Sequence, residues 1–293
     1  MKKYTPIFIC TLITALFALS SCASGPATAK SAPSGKEPAK VAKTRTVLTK
    51  VPVLVKETVF YSDGLMDGFI LYKLDDGKKS VIEKSKYDAS RAEPIERQVF
   101  EYKGGREIAD SLYESDGKLR SRRELGYDSA GLLASERMID AKGAVLSSSA
   151  YAYDKSGRKT EWRALDGSGA AKAVTSYAYA DGLLVSVEMR DSSGAVTGTI
   201  KSEYEGGKLA KRSYSGSGGE AQKVEAYSYA GPRPAALETR RSDGSLIAKT
   251  AYEYGGSGEL VKATEYLPSG SVSSYTTYEY VVREDSTTET YFE

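Results

Sequence analysis

The chain has no histidine and only two cysteines among its 293 residues. Without histidine, the usual acid–base group, Ser-His nucleophile pairs and the commonest zinc ligand are all excluded. Ser115-x-x-Lys118 and Ser156-x-x-Lys159 match a Ser-Lys nucleophile pattern, but both lie in predicted turns, and no segment matches a calcium-binding loop. The sequence therefore predicts that the protein is not an enzyme and has no cofactor or metal.

The N-terminus has the pattern of a bacterial export signal over residues 1–21. Lys2 and Lys3 precede an apolar stretch that is short for a membrane span. Leu19-Ser20-Ser21-Cys22 follows and resembles the lipobox of bacterial lipoproteins. That resemblance implies cleavage before Cys22 and lipidation of its sulfur, with several acyl chains giving stable anchoring.

Cleavage before Cys22 would change both the cysteine content and the net charge of the mature chain. Cys10 would leave with the signal and Cys22 would carry lipid, so no disulfide is expected. Removing Lys2 and Lys3 from the 41 basic residues leaves 39, equal to the 39 acidic residues. A balanced charge gives no reason to expect a nucleic-acid partner. Because Ala23 and Ser24 are not the aspartate that retains many lipoproteins in the inner membrane, we expect the outer membrane, on its periplasmic face or at the cell surface.

Tyrosine recurs every 25 or 26 residues. The series is Tyr102, Tyr127, Tyr153, Tyr179, Tyr204, Tyr229, Tyr254 and Tyr280. A first glycine lies 22 residues before the next tyrosine, with Pro232 in one place, and a second glycine lies 10 residues before it. The alternation between 25 and 26 thus falls between each tyrosine and the following first glycine. Such a period predicts stacked structural repeats.

Each repeat has the pattern of a β-hairpin. Asp and Gly mark the turns, and the segment after the second glycine alternates with period two, as in Gly244–Tyr254. The segment after the first glycine alternates less clearly, which fits either a strand with apolar side chains on both faces or a bulge near its start. We predict an all-β fold, an elongated, twisted or curled antiparallel sheet of tandem 25–26-residue hairpins, in which neighbouring tyrosines pack as a ladder.

Two repeat families share these motifs. Tyr127-Asp128-Ser-Ala-Gly131 and Tyr153-Asp154-Lys-Ser-Gly157 resemble the YD repeats of Rhs-type proteins. Tyr179-Ala-Asp-Gly182-Leu-Leu184 and Tyr204-Glu-Gly-Gly207-Lys-Leu209 resemble the MORN-like repeats of the YwqK antitoxin family. The resemblance covers about Phe100 to Tyr280, and neither family supplies catalytic residues.

The predicted organisation has five segments. They are a lipoprotein signal peptide at 1–21, the lipidated Cys22 with a flexible tether at 22–50, irregular capping repeats at 51–98, a seven-unit hairpin array at 99–280 and a C-terminal closing segment at 281–293.

Trp162, Tyr151 and Tyr177 are the candidate partner-binding residues. Trp162 is the only tryptophan and lies mid-strand between Glu161 and Arg163. An exposed tryptophan among charges and a row of tyrosines are typical of binding surfaces, whereas packing within the sheet is the alternative.

The sequence therefore predicts a membrane-anchored envelope lipoprotein whose repeat sheet is a structural scaffold or a binding surface for protein or glycan partners. The alternative, from the YwqK resemblance, is an antitoxin or immunity-like protein acting in the envelope.

Overall fold

The computed structural model describes residues 42–292, which form β-strands joined by turns. The signal peptide, Cys22 and most of the predicted tether lie outside the described residues. The strands are β1 Ala42–Tyr61, β2 Met66–Leu74, β3 Val81–Asp88, β4 Glu96–Lys103, β5 Arg106–Glu114, β6 Leu119–Tyr127, β7 Leu133–Asp140, β8 Val145–Tyr153, β9 Lys159–Asp166, β10 Ala171–Ala180, β11 Leu183–Asp191, β12 Val196–Glu205, β13 Lys208–Gly216, β14 Ala221–Ala230, β15 Arg233–Arg241, β16 Leu246–Tyr254, β17 Leu260–Tyr266 and β18 Val272–Phe292.

The chain divides into two units. Thr46–Thr288 form one, and the described residues of the other are 42–45 and 289–292. In the smaller unit the guanidinium of Arg45 donates to Oε2 of Glu289 at 2.9 and 3.1 Å and lies over the ring of Tyr291. β1 begins at Ala42, within the predicted tether, because β-branched residues recur through Thr44, Thr46 and Val47 and favour an extended chain.

The sheet is a closed antiparallel barrel of 18 strands. Each strand pairs with the next one in the chain, and β18 pairs with β1. This confirms the prediction of an all-β sheet of tandem hairpins and decides a point that the sequence left open, whether the sheet closes on itself. The predicted closing segment from Val281 onward continues β18.

Two kinds of turn explain the alternation between 25 and 26 residues. The shorter tyrosine-to-glycine spacing forms a two-residue turn with positive φ at both places, as at Asp181 (51°) and Gly182 (81°). In the longer spacing, Gly157 N donates to Asp154 O and Asp154 N donates to Arg158 O. That pattern is a type I turn followed by a glycine bulge. One residue is thus gained or lost without changing the strands on either side.

A β-bulge follows each first glycine, which decides the second point that the sequence left open. Tyr153 pairs with Lys159 while Ala152 pairs with Glu161, so Thr160 is the extra residue on β9. The same register shift precedes every tyrosine of the series from Tyr102 to Tyr254. The bulge changes the face to which later side chains point, and this obscures the period-two pattern.

The turn between a periodic tyrosine and the following first glycine should tolerate an inserted residue, whereas a strand should not. Replacing Ala180-Asp181 by Asp-Lys-Ser, the residues between Tyr153 and Gly157, should change the free energy of unfolding by less than about 1 kcal/mol. One residue inserted after Val187 in β11 should cost several times more, because it moves side chains to the opposite face. Urea denaturation of both variants checks this, and equal losses would contradict it.

The two faces of the sheet differ in chemistry. One, the tyrosine face, carries the periodic tyrosines and, in mid-strand, Asp110, Arg123, Glu136, Trp162 and Val187. The other, the charged face, carries directly opposed acid–base pairs. These include Glu124 with Arg137, Glu203 with Lys211, Glu238 with Lys249 and Glu253 with Lys262.

The tyrosines form a ladder of hydrogen bonds and not of stacked rings. The hydroxyl of Tyr153 donates to the carbonyl of Leu133 at 2.8 Å, across the bulge of the preceding repeat. Equivalent bonds of 2.7 to 3.0 Å join Tyr102 to Val81, Tyr127 to Glu107, Tyr179 to Lys159, Tyr204 to Leu184, Tyr229 to Leu209 and Tyr280 to Leu260. The stacked ring pairs that the described residues contain, Phe60–Tyr275 and Phe69–Tyr87, lie outside this series.

A cation covers several rings of the ladder. The residue after the first glycine, or after Pro232, is basic in four repeats, and its charge lies 5.0 to 5.7 Å from the ring of the next tyrosine in the series. The pairs are Arg106 with Tyr127, Arg158 with Tyr179, Lys208 with Tyr229 and Arg233 with Tyr254. Each contact adds about 0.5–1 kcal/mol at an exposed site. The periodic tyrosines therefore join neighbouring repeats in two ways, through the hydrogen bond of the hydroxyl and through the cation over the ring.

Candidate binding face

The three predicted partner-binding residues lie together on the tyrosine face. Trp162 on β9 is directly opposite Tyr151 on β8 and Thr175 on β10. Thr175 is in turn opposite Met189 on β11. Tyr177 lies two residues beyond Thr175 and shares its face. The side chain of Lys159 spans the group, because its Nζ lies 5.6 Å from the ring centre of Tyr151 and 4.5 Å from that of Tyr177.

Trp162 belongs to the wall of the sheet. The residue is half-buried, and its Nε1–H is covered without a hydrogen-bond partner in the structure. A buried donor without a partner carries a cost of about 1–3 kcal/mol. The indole nitrogen is thus withdrawn from solvent, and only the rest of the ring is available to a ligand.

Tyr151 and Tyr177 are half-buried and differ in their hydroxyls. Tyr151 Oη donates to Oε2 of Glu136 at 2.9 Å, and burial together with this carboxylate raises the pKa of Tyr151 to about 12. Its hydroxyl therefore stays protonated at neutral pH. The described residues offer the hydroxyl of Tyr177 no such partner. This leaves Tyr177 as the hydroxyl of the pair with free hydrogen-bonding capacity.

Beside this group, one arginine holds three carboxylates. Nε of Arg123 donates to Asp110 at 2.6 Å, and its terminal nitrogens lie 3.0 Å from Glu107 and 3.4 Å from Glu136. The side chain of Asp110 is only 7% exposed and also accepts from Gln98 Nε2 at 2.7 Å. Burial raises the pKa of Glu107 despite the nearby guanidinium. The network is thus a partly buried, net acidic cluster with one cation at its centre and Asp110 as its most buried member.

A small cavity adjoins this network where side chains are short. Its volume is about 60 Å³, and Arg123, Glu136, Met138, Ser147 and Ser149 contribute to its lining. Serine at two successive places of the tyrosine face on β8 leaves this space open beside β7. The serine hydroxyls, a carboxylate and a guanidinium are the donors and acceptors that hydroxyl-rich ligands require.

A second polar network lies further round the same face. Glu225 accepts from the hydroxyls of Tyr214 and Tyr227, at 2.7 and 3.1 Å, and from Lys223 Nζ at 2.9 Å. Burial acts to raise the pKa of Glu225, but these three donors lower it overall. Burial and the hydrogen bond to Glu225 raise the pKa of Tyr214 to about 12. Glu225 is thus ionised at neutral pH and lies against protonated phenols.

Sequence reasoning missed both networks. The available signal is that Asp110, Glu136, Val187 and Arg212 stand at the place that Trp162 occupies in its own repeat. Charged residues at the Trp162 position of other repeats, on an otherwise aromatic face, indicate that each has a partner of opposite charge. Their partners were hidden because the bulges change the facing of Glu107 and other residues near the start of each strand.

The described residues contain no group of three or more side chains suited to hold a metal ion. Within 42–292 there is also no helix with the length and hydropathy needed to cross a membrane.

Comparison with known proteins gives structural likenesses alone. No family model matches the chain, and no curated protein matches it. A porin-like protein from Bacteroides uniformis ATCC 8492 is similar with a TM-score of 0.44 and 9% identity, covering 78% of this chain and 98% of that one. A porin-like protein from Bacteroides vulgatus ATCC 8482 gives 0.36 and 12%, with the same coverage. A chain of the TcdB2-TccC3-Cdc42 structure gives 0.21 and 11%, covering 80% of this chain and 18% of that one. The lipoprotein, YD-repeat and MORN-like resemblances stay predictions.

Proposed function

We propose that the protein is a lipid-anchored envelope lipoprotein that holds a hollow, tyrosine-lined barrel in water as a binding scaffold. The observation that carries this proposal is that both faces of the closed sheet have charged side chains in mid-strand. Arg123 and Asp110 lie on the tyrosine face, and Glu124 and Arg137 on the charged face. A charge facing hydrocarbon at the middle of a strand costs about 2–4 kcal/mol, so both faces are suited to water.

The tyrosine face is the inner one in this proposal. Asp110 and Glu225 on this face have side chains 7% and 13% exposed, whereas Glu124 and Arg137 on the charged face are 36% and 57% exposed.

The interior is open and not a packed core. Among residues 42–292 only Ala109 and Leu209 are buried hydrophobic residues, and no large side chain is fully buried. Barrels of 16 to 18 strands are wide enough to leave an aqueous channel. The solvated tyrosine face carries phenols, serine hydroxyls and ion pairs. Aromatic rings and hydrogen-bonding groups alternate along it, which suits an extended glycan or polypeptide ligand.

Anchoring is tested by labelling cells with a palmitate analogue. The wild-type protein should incorporate the label and fractionate with the outer membrane, and Cys22→Ser should lose both properties. Equal labelling of Cys22→Ser would refute the anchor.

Binding is tested through Trp162, since it is the only tryptophan and lies on the proposed surface. Soluble peptidoglycan and envelope polysaccharide fragments, and purified periplasmic proteins, are titrated into the folded protein while its fluorescence is followed. A saturable change should be weakened at least tenfold by Tyr177→Ala and left unchanged by Arg163→Ser on the charged face. The proposed binding role would be wrong if none of these ligands changed the fluorescence, or if both variants lost the change equally.

A further inference from the structure

Exposed apolar side chains concentrate where β17, β18, β1 and β2 meet. The described residues have ten large hydrophobic side chains that are exposed, and, apart from Leu48 near the start of β1, five of them lie on β1, β2 and the two turns β1–β2 and β17–β18. We name these five the apolar corner: Tyr61, Leu65, Met66, Leu71 and Leu267. Leu65 is 66% exposed and Leu267 is 47% exposed. A cluster of this kind differs from singly scattered surface residues, which need no explanation.

The two turns depart from the pattern of the other turns at the same end of the hairpins. Three residues before the turn glycine, the other turns carry polar residues or glycine: Glu114, Asp140, Asp166, Asp191, Gly216 and Arg241. Tyr61 and Leu267 hold this place in the corner. Their turns have the same geometry, since Gly64 N donates to Tyr61 O at 3.0 Å and Gly270 N to Leu267 O at 2.9 Å. The turn itself therefore does not require an apolar residue.

The corner rests on a preorganised aromatic base. The rings of Phe60 and Tyr275 stack at 4.8 Å, and those of Phe69 and Tyr87 stack at 4.6 Å. The Tyr275 ring on β18 reaches the β1–β2 turn, because its hydroxyl lies 3.9 Å from the position of a Cβ on Gly64. The hydroxyl of Tyr61 is fixed by a short hydrogen bond to Asp67. A surface whose rings are already held in place loses little conformational entropy on binding.

Acidic groups lie beside Tyr61 on one side of the corner. Asp67, Asp88 and Asp63 all lie close enough to the hydroxyl of Tyr61 to raise its pKa, with the hydrogen bond to Asp67 as the largest cause. Two lysines contact the aromatic base. Lys56 lies over the ring of Phe69 and forms an ion pair with Glu279, and Lys262 lies over the ring of Tyr275. Arg91 lies beside Asp88, so Asp63 and Asp67 carry the negative charge of this rim, which repels an anionic lipid surface and attracts a basic one.

We propose that the apolar corner docks a protein partner that presents an apolar patch bordered by lysine or arginine. The apolar side chains supply the buried centre of the contact, and the aspartates form a polar rim that selects the partner by charge. This site is separate from the tyrosine face and does not depend on ligand binding there.

The test places the photocrosslinking residue benzoylphenylalanine at Leu65 of the full-length protein in its native cells. The matched control position is Ala195, which holds the same place in the β11–β12 turn. A discrete protein adduct should form from position 65 and not from 195, and its partner is then purified. Binding of that partner should weaken at least tenfold with Leu65→Ser. It should also weaken with Asp63→Asn, which keeps the turn hydrogen bond that Asp63 Oδ1 accepts from Leu65 N but removes the charge.

Four outcomes would overturn the proposal. They are equal adducts from positions 65 and 195, no protein adduct from a folded variant, a purified partner that binds Leu65→Ser as tightly as wild type, and flotation of the wild type with phosphatidylglycerol vesicles that Leu65→Ser abolishes. Tyr177→Ala should leave the adduct unchanged, so failure of the tyrosine-face proposal and failure of this one are distinguishable.

Discussion

Arg123→Met should destabilise the barrel by about 3–5 kcal/mol, the usual cost of removing one partner from a buried ion pair. The variant leaves Asp110, whose side chain is 7% exposed, without the guanidinium that lies 2.6 Å away. In a unit of this size such a loss lowers the melting temperature by roughly 6–20 °C. Differential scanning calorimetry measures it directly. Arg137→Met is the matched control, because that arginine is 57% exposed and its pair with Glu124 is worth at most about 1 kcal/mol.

The defect of Arg123→Met should shrink as the pH falls. Burial already raises the pKa of Glu107 in the wild type, so protonating this carboxyl favours the folded state. Its favourable contribution is complete below the unfolded pKa and is lost as the pH rises through the folded pKa. Without Arg123, Glu107 loses the cation that acts to lower its folded pKa, and that pKa rises further. The gap in stability between wild type and Arg123→Met should therefore be smaller at pH 4 than at pH 8. A gap that does not change with pH, or one no larger than for Arg137→Met, would contradict this account of the network.

Tyr153→Ala should cost about 2–3 kcal/mol, and Tyr153→Phe about 1 kcal/mol. The alanine variant loses a half-buried ring as well as the hydroxyl, whereas phenylalanine loses only the bond to the carbonyl of Leu133. Lys155 is exposed in the turn that follows, and Lys155→Ala should stay within about 0.5 kcal/mol. Urea denaturation of the three variants separates these values. If Tyr153→Phe is as stable as wild type, the hydroxyl bonds of the ladder contribute nothing to stability. If Tyr153→Ala and Lys155→Ala have equal effects, the tyrosine ladder as a whole does not stabilise the sheet.

The hairpin repeat was predictable because its signals are local. The tyrosine period, the Asp and Gly turns and the alternation after the second glycine each act within one repeat. The elastic spacing between tyrosine and first glycine was also visible, and the structure supplies its cause in two turn types. The ladder was predicted as a set of packed rings, and the structure corrects its chemistry to hydroxyl-to-carbonyl bonds with covering cations.

Closure was not predictable because it depends on distant residues. β1 and β18 lie at opposite ends of the chain, and their pairing has no counterpart in the repeat pattern. The paired networks of the tyrosine face were hidden for a related reason, since Asp110, Arg123 and Glu136 belong to three different strands and a bulge reorients Glu107. The candidate residues Trp162, Tyr151 and Tyr177 do lie together, and their role in binding stays a proposal.

The closed barrel is tested most directly by a disulfide between β1 and β18. Lys56 and Glu279 form an ion pair of 2.9 Å across this junction, and a chain that begins at Ala23 contains no cysteine. In that chain, Lys56→Cys with Glu279→Cys should crosslink under mild oxidation, as should the positive control Glu124→Cys with Arg137→Cys on neighbouring strands. Lys56→Cys with Glu253→Cys on β16 should not. A folded protein in which the positive control crosslinks and the 56–279 pair does not would contradict the pairing of β1 with β18 at this position.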